Sequence, residues 1–359
     1  MENTTTTTPA FRIETLLEEV VKRNASDLHL QVGLPPMFRI DGTLVGGGEH
    51  RLTPDMVKNL IHSVLDAEQE KVLSRDKELD FSFAFGDSAR FRVNAFHEKG
   101  NLAGAFRLIP KKIPTLDELG IPAVVESFAN YPRGLVLVTG PTGSGKTTTL
   151  AALLNKINIE KAVHIITIED PIEYTYVSRR SVVAQREVHY DTFSFTAALR
   201  SSLRQDPDVV LVGEMRDLET ISSAITLAET GHLVFATLHT NSAAQSIDRI
   251  VDIFPASQQP LIRSQLANIL MAVCSQRLLP SLKGGRTVAA EIMIANNAVR
   301  SIIREGKSHQ LDAVIQTSID VGMQSMDRTL AKMVQQGILS YDDAREAAVD
   351  LSEFERLVK

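Results

Sequence analysis

The sequence predicts an α/β chain in two parts: a small α+β domain, then a larger one built on a parallel sheet wrapped by helices. Three observations carry this. Leu135-Val136-Leu137-Val138-Thr139 is a continuous apolar run, as in a strand buried on both faces, and similar runs recur at Val163 to Ile168, Val209 to Val212 and Leu233 to Ala236. Helical stretches separate these runs, and strands alternating with helices imply a parallel sheet. Before residue 110 the texture differs, because the strands there alternate apolar and polar residues.

Taken in order, Met1 to Ala10 is a polar, threonine-rich run that is expected to be disordered. Phe11 to Lys22 has helical periodicity, with Phe11, Leu16, Leu17, Val20 and Val21 able to share a face. Asp27 to Gln31 alternates like a strand. Phe38-Arg39-Ile40 and Thr43-Leu44-Val45 flank Asp41-Gly42, a hairpin signal. Thr53-Pro54 opens a helix, with threonine as cap and proline in the first turn, and the pattern continues to about Leu73. Three strands follow at Leu79 to Phe85, Ala89 to His97 and Leu102 to Ile109, the first two joined at Gly86-Asp87. The first domain thus spans 11–110. Residues 111–133 carry three prolines and read as a linker with a short helix, and 134–359 make the second domain, helical only from about residue 295.

The chain has 359 residues, 43% hydrophobic and 23% charged, the balance of an ordinary globular protein. A formal net charge of -6 gives no overall basic field to hold nucleic acid. The one cysteine, Cys274, excludes an intramolecular disulfide and a cysteine zinc cluster. It lies in Leu270 to Cys274, which reads as an apolar helical stretch, so a buried core thiol is expected. The N-terminus lacks the basic start and apolar stretch of a secretory signal, and no apolar run approaches the roughly 18 residues of a membrane span. A cytoplasmic chain without membrane insertion is expected.

Gly140-Pro141-Thr142-Gly143-Ser144-Gly145-Lys146-Thr147 sits between a predicted strand and a predicted helix. Each part has a physical reason. The glycines let backbone N–H groups turn inward around phosphate oxygens. A helix starting at Lys146 turns its positive dipole end on the anion. Lys146 reaches the terminal phosphates, and the Thr147 hydroxyl ligates Mg2+. Thr148 follows in the first helical turn and joins the expected nucleotide-binding set, with ATP as the nucleotide. A chance match to glycines, lysine and hydroxyl together arises on the order of once in a hundred chains.

Two acidic segments end buried strands, where ligands of open α/β sheets bind. Asp208 to Glu214 places Glu214 one residue later than the usual metal-binding aspartate, leaving open whether it meets the metal directly or through water. Ile168 to Glu173 offers Glu169, Asp170 and Glu173, any of which could activate water or simply be solvated. His232 and His239 bracket an extended stretch and lie roughly 23 Å apart, so they cannot both touch one phosphate in one subunit. His239, at the carboxyl end, is the better candidate for sensing the γ-phosphate. His232 suits a subunit boundary or a structural role.

Gly140 to Thr147, Glu169-Asp170-Pro171-Ile172-Glu173, Gly213-Glu214-Met215-Arg216-Asp217 and Gly231-His232 through Leu238-His239-Thr240 occur in that order. Together they resemble the Walker A, Asp box, Walker B and His box of the secretion ATPases that power type II secretion and type IV pili, and among these the pilus retraction ATPases. Ala298-Val299-Arg300-Ser301-Ile302-Ile303-Arg304-Glu305 is similar to the AIRNLIRE stretch of the retraction motors, departing at Val299, Ser301 and Ile302. Its apolar positions Ala298, Val299, Ile302 and Ile303 can form one helical face, with Arg300, Arg304 and Glu305 mainly on the other.

The resemblance implies a PAS-like α+β N-terminal domain, a RecA-like P-loop ATPase domain with a helical C-terminal region, and a homohexamer. It implies an ATP- and Mg2+-dependent motor for pilus retraction and twitching motility, working at the cytoplasmic face of the inner membrane on a PilC-type platform protein, with a PilU-type paralogue as a further partner. It ranks Glu173 above Glu169 as the catalytic glutamate. It implies that two N-domain arginines fifteen residues apart reach a nucleotide, and Arg92 and Arg107 have that separation; Arg200 and Arg204, a helical turn apart, are assigned to the same network. Extension and type II secretion relatives carry a four-cysteine zinc insertion and a longer N-terminal region, neither present here, which favours retraction. A PilU-type accessory role stays open. A RecA-like nucleic-acid motor is disfavoured by net acidity and by the lack of aromatic-plus-basic tracts. A small-molecule kinase is disfavoured by the lack of a recognisable acceptor-binding lid.

Overall fold

The computed structural model describes residues 12–40, 42–86, 89–109 and 112–359. The disorder expected for residues 1–10, the helical start at Phe11 and the turn positions Asp41 and Asp87 lie outside them. The chain divides into two compact units, Met1–Lys111 and Lys112–Lys359.

In the first unit, helix α1 (Ile13–Lys22) buries Ile13, Leu16, Leu17 and Val20, whereas Val21, also expected on the apolar face, is exposed. Strands β1 (Asp27–Leu30), β2 (Met37–Ile40) and β3 (Thr43–Gly46) follow, then α2 (Pro54–His62) and α3 (Ala67–Asp76), then β4 (Glu78–Phe85), β5 (Ala89–Glu98) and β6 (Asn101–Ile109). The single helix expected from Pro54 to about Leu73 is two. The Asp66 carboxylate accepts from the N–H groups of Glu68 and Gln69, and the Gln69 side chain accepts from the Asp66 N–H. This reciprocal cap starts a new helix where apolar spacing alone reads through. The sheet runs β3-β2-β1-β6-β5-β4 and is antiparallel throughout. Leu28, Phe38, Phe81, Val93 and Phe106 stand on its core face. On the other face Arg39, Asp27, Arg107, Arg92 and Ser82 form one continuous rung across five strands.

In the second unit a seven-stranded sheet contains β7 (Gly134–Thr139), β8 (His164–Glu169), β9 (Val182–Glu187), β10 (Val209–Val212), β11 (Leu233–Leu238), β12 (Leu270–Pro280) and β13 (Arg286–Ile294), in the order β13-β12-β7-β11-β10-β8-β9. Neighbours are parallel except β12 and β13. Helices α4 (Lys146–Glu160), α5 (Phe195–Ser202), α6 (Leu218–Glu229), α7 (Ala243–Asp252) and α8 (Gln259–Ile269) connect the strands. Two buried clusters line the sheet, one including Leu135, Leu137 and Ile166, the other Val136, Val138 and Ile165. Alternate residues of the same strands thus enter opposite layers, as the uninterrupted apolar runs require.

Residues 112–133, read as a linker, contribute Leu116, Ile121, Val125, Phe128 and Ala129 to one of these clusters, around a 3₁₀ helix at Ala123–Asn130. Leu270 to Cys274 opens β12 and is not helical; Cys274 is buried there, and burial pushes its thiol up to about 12. Beyond residue 295 come α9 (Asn297–Glu305), α10 (Leu311–Thr317), α11 (Met326–Gln335), α12 (Tyr341–Ala347) and α13 (Leu351–Val358), with short 3₁₀ turns. Within α9, Val299 and Ile303 are buried, whereas Ala298, assigned to the apolar face, is exposed.

Candidate nucleotide-binding site

The loop after β7 is shaped by close backbone approach. Gly140 has φ +141, and a Cβ there would lie 2.3 Å from the Gln276 carbonyl oxygen and 2.6 Å from Ser144 Oγ, so only glycine fits. Gly145, at φ +88, is the N-cap of α4, which begins at Lys146. The Lys146 Nζ donates to the carbonyls of Gly140 (2.9 Å) and Pro141 (3.0 Å). Burial pulls the Lys146 ammonium below its usual range, opposed by the carboxylates of Glu173 and Glu214. Ser144 Oγ is buried with no hydrogen-bond partner among the described residues, a donor left over for a phosphate oxygen.

The three glutamates differ in surroundings. Glu169 ends β8, is 5% exposed, and accepts from Thr167 Oγ1 at 2.6 Å and Gln185 Nε2 at 3.4 Å. Burial pushes its carboxyl up to about 7. Glu173 is exposed, its N–H 3.4 Å from Glu169 Oε2. Glu214 follows β10, with Oε1 2.6 Å from Arg216 Nε and Oε2 3.7 Å from His239 Nε2.

The histidines separate as their positions along β11 dictate. His239 follows its carboxyl end and meets Glu214. His232 precedes its first residue, with Nδ1 2.9 Å from the Leu227 carbonyl oxygen and 3.1 Å from Thr230 Oγ1. It is thus tied into its own turn, at the other end of the strand from the loop. Arg92 and Arg107 are direct cross-strand partners on β5 and β6 of the first unit, and Arg107 Nε donates to Asp27 Oδ1 at 2.8 Å. Arg200 and Arg204 are exposed and form no ion pair among the described residues; α5 closes at Ser202, so Arg204 lies beyond its end.

Among the described residues no group of three His, Cys, Asp or Glu side chains could hold a metal by itself. A phosphate-bound Mg2+ needs less, because phosphate oxygens and water supply most of its ligands. The Thr147 hydroxyl in the first turn of α4 and the Glu214 carboxylate fit that smaller requirement.

Sequence reasoning missed three contributors. Tyr174 Oη lies 3.1 Å from Thr148 Oγ1, Gln276 Nε2 donates to Thr149 Oγ1 at 2.7 Å, and Glu291 accepts from the Ala243 N–H at 2.7 Å. The last two come from β12 and β13, strands the apolar pattern did not reveal.

Residues 7–347 match the family described as type II/IV secretion system protein. The chain belongs to that family. It is 51% identical over 336 residues to the type IV pilus retraction ATPase PilT of Pseudomonas aeruginosa, covering 94% of this chain and 98% of that one. It is 50% identical over 314 residues to a twitching motility protein of Neisseria gonorrhoeae, covering 87% and 84%. A solved structure of the pilus retraction motor PilT with bound ADP superposes with a TM-score of 0.91 at 47% identity, covering 96% of this chain and 99% of that one. Those matches span both units, so the family likeness is not confined to the phosphate loop. No helix among the described residues is long and apolar enough to cross a membrane.

Proposed function

We propose that this ATPase is the homohexameric motor of type IV pilus retraction, driving pilin depolymerisation and twitching motility from the cytoplasmic face of the inner membrane through a platform protein. The observation that carries the reading is the phosphate-loop geometry around Gly140 and Lys146, in a chain half identical to a retraction ATPase. The first unit is read as PAS-like and the second as RecA-like.

The chemistry follows from the charges. Lys146 exchanges its carbonyl partners for the β- and γ-phosphates of ATP, which answer its positive charge better than neutral oxygens do. Thr147 and Glu214 would hold Mg2+, which would offset charge on the phosphates. Glu173, exposed beside the loop, accepts a proton from the attacking water. His239, beside Glu214, registers the γ-phosphate. Arg92 and Arg107 supply cations from a neighbouring subunit.

Two measurements test this. The purified chain should release phosphate from ATP, and Lys146→Ala should cut the rate to below about one hundredth, the loss seen when a charge-stabilising group is removed from a transition state. A strain lacking the chain should keep surface pili and lose retraction. Near-parental phosphate release by Lys146→Ala sinks the site, and normal retraction in the null strain sinks the biological reading.

A further inference from the structure

Glu291 has no part in the chemistry so far, yet the sheet carries it to the catalytic edge. Glu291, Ser275, Thr139 and Leu238 are register partners across β13, β12, β7 and β11. The last two immediately precede Gly140 and His239. Thr139 Oγ1 donates to Ser275 Oγ at 2.9 Å in the middle of this rung. At its end Glu291, 6% exposed, accepts the N–H of Ala243.

Ala243 is the first residue of α7, and its N–H is one of the donors a helix leaves without an internal partner. Ser242 caps a different one, the N–H of Gln245. The four residues from His239 to Ser242 are therefore pinned at both ends: by β11 on one side and by the Glu291 bond on the other. Thr240 Oγ1 and Ser246 Oγ, 2.6 Å apart, brace the loop against α7. His239, the first residue of this segment, stands 3.7 Å from Glu214.

We propose that Glu291 is a positioning residue for hydrolysis: as a carboxylate it fixes the first turn of α7, and through it holds His239 against Glu214. The proposal rests on the reading of Glu214 and His239 as site residues. Charge matters because a carboxylate holds an N–H at a helix N-terminus more strongly than a neutral acceptor does. Glu291 sits where that charge is sensitive. Burial, with Asp312 of α10 and Asp327 of α11, pushes its carboxyl up to about 7, while the Ala243 N–H and Arg277 of β12 oppose the rise. The Cys274 thiol, also near Glu291, is itself held protonated by burial. The hold is complete above this range and is lost as Glu291 protonates below it.

The test is steady-state ATP hydrolysis by the full chain as it assembles, across pH 6 to 8.5, comparing the parent with Glu291→Gln. At pH 8 the variant should lose about tenfold in kcat, the scale of a small misplacement at a catalytic centre, with KM for ATP within about twofold. The ratio of parent to variant kcat should fall towards one below pH 6.5, because the parent then carries an uncharged Glu291 too. Equal kcat at pH 8, or a ratio that does not change with pH, overturns the proposal. If Glu291→Gln does not fold, hydrogen exchange on the parent decides. Protection of residues 239–246, corrected for intrinsic exchange, should drop between pH 8 and 6 while that of β7 holds, and parallel behaviour of both segments overturns the proposal. A parent with no ATPase activity would instead sink the functional reading, so the two failures are distinct.

Discussion

Three glutamates stand at or just beyond the carboxyl ends of β8 and β10, and their surroundings differ. Glu169 is buried and satisfied by Thr167 and Gln185, whereas Glu173 is exposed and Glu214 meets His239. An activating carboxylate must be able to reach water, which fits exposed Glu173 and not buried Glu169. Glu173→Gln should lower kcat by about a hundredfold or more while nucleotide still binds, the usual contribution of an acid–base group, and Glu214→Gln should lower it comparably by removing the charge that would hold Mg2+. Glu169→Gln should cost much less; equal losses for Glu169→Gln and Glu173→Gln would refute the division. Glu169 should instead show in stability. Its folded carboxyl lies near 7 against an ordinary 4.5, so the folded state binds the extra proton between those values. Stability from this group is therefore full at low pH and falls as pH rises through that window, by up to about 3 kcal/mol. Denaturant unfolding at pH 5 and 8 should show a smaller difference in Glu169→Gln than in the parent. An unchanged difference would mean that the burial of Glu169 is not what the pH dependence reports.

At the scale of elements, α9 shows how a surface reading changes once neighbours are known. Arg300 falls on the charged face by pattern, but its guanidinium donates to the carbonyls of Ala267 and Asn268, at the end of α8. These are carbonyls a helix leaves without internal partners. Arg304 is exposed on the same helix. Arg300→Ala should therefore destabilise the chain by about 1–3 kcal/mol, as loss of charged hydrogen bonds does, and Arg304→Ala by under about 0.5 kcal/mol. Arg304→Ala is the cleaner probe of coupling to the pilus machinery, since loss of retraction with intact hydrolysis could not be blamed on folding. Equal melting temperatures for the two variants would remove the capping role. The same logic explains what was legible. β7, β8, β10 and β11 announce themselves as unbroken apolar runs, and Gly140 to Thr147 marks the loop between β7 and α4. Leu270 to Cys274 is equally apolar, but five apolar residues carry no period that separates strand from helix. β9 mixes Gln185, Arg186 and Glu187 into its last half, and its partly exposed position at the sheet edge accounts for that. Glu291 and Gln276 were illegible for a related reason: their roles exist only through pairing across strands distant in sequence, which no local pattern encodes.

At the scale of the whole molecule, the proposed action of Arg92 and Arg107 on a neighbouring subunit's nucleotide makes a prediction of its own. Those arginines face each other directly on adjacent strands, an arrangement of like charges that costs stability unless something answers it. Asp27, the next member of the rung, answers Arg107 on its other side and is itself held below the usual carboxylate range by Arg107 and Ser26, against the opposing effect of its burial. Arg107 nevertheless stays 68% exposed. The proposal is that this cationic pair answers an anion brought by another subunit. Supplying that cation across an interface makes hydrolysis depend on assembly, as an arginine finger does. Arg107→Ala subunits then lack the donor but keep a working phosphate loop, and Lys146→Ala subunits lack the loop but keep the donor. Neither homo-oligomer should turn over ATP. In a ring mixed at random in equal parts, an intact loop meets an intact donor at about a quarter of the interfaces. Mixing should therefore restore hydrolysis to about a quarter of the parental rate where sites act independently, with a maximum near equal proportions. Subunit exchange must be shown in the same sample, by energy transfer between labelled chains. Exchange without recovered phosphate release would count against action of Arg107 on a neighbouring subunit's nucleotide. Recovery that rises and falls with the mixing ratio would show that the cation is donated from one chain to another.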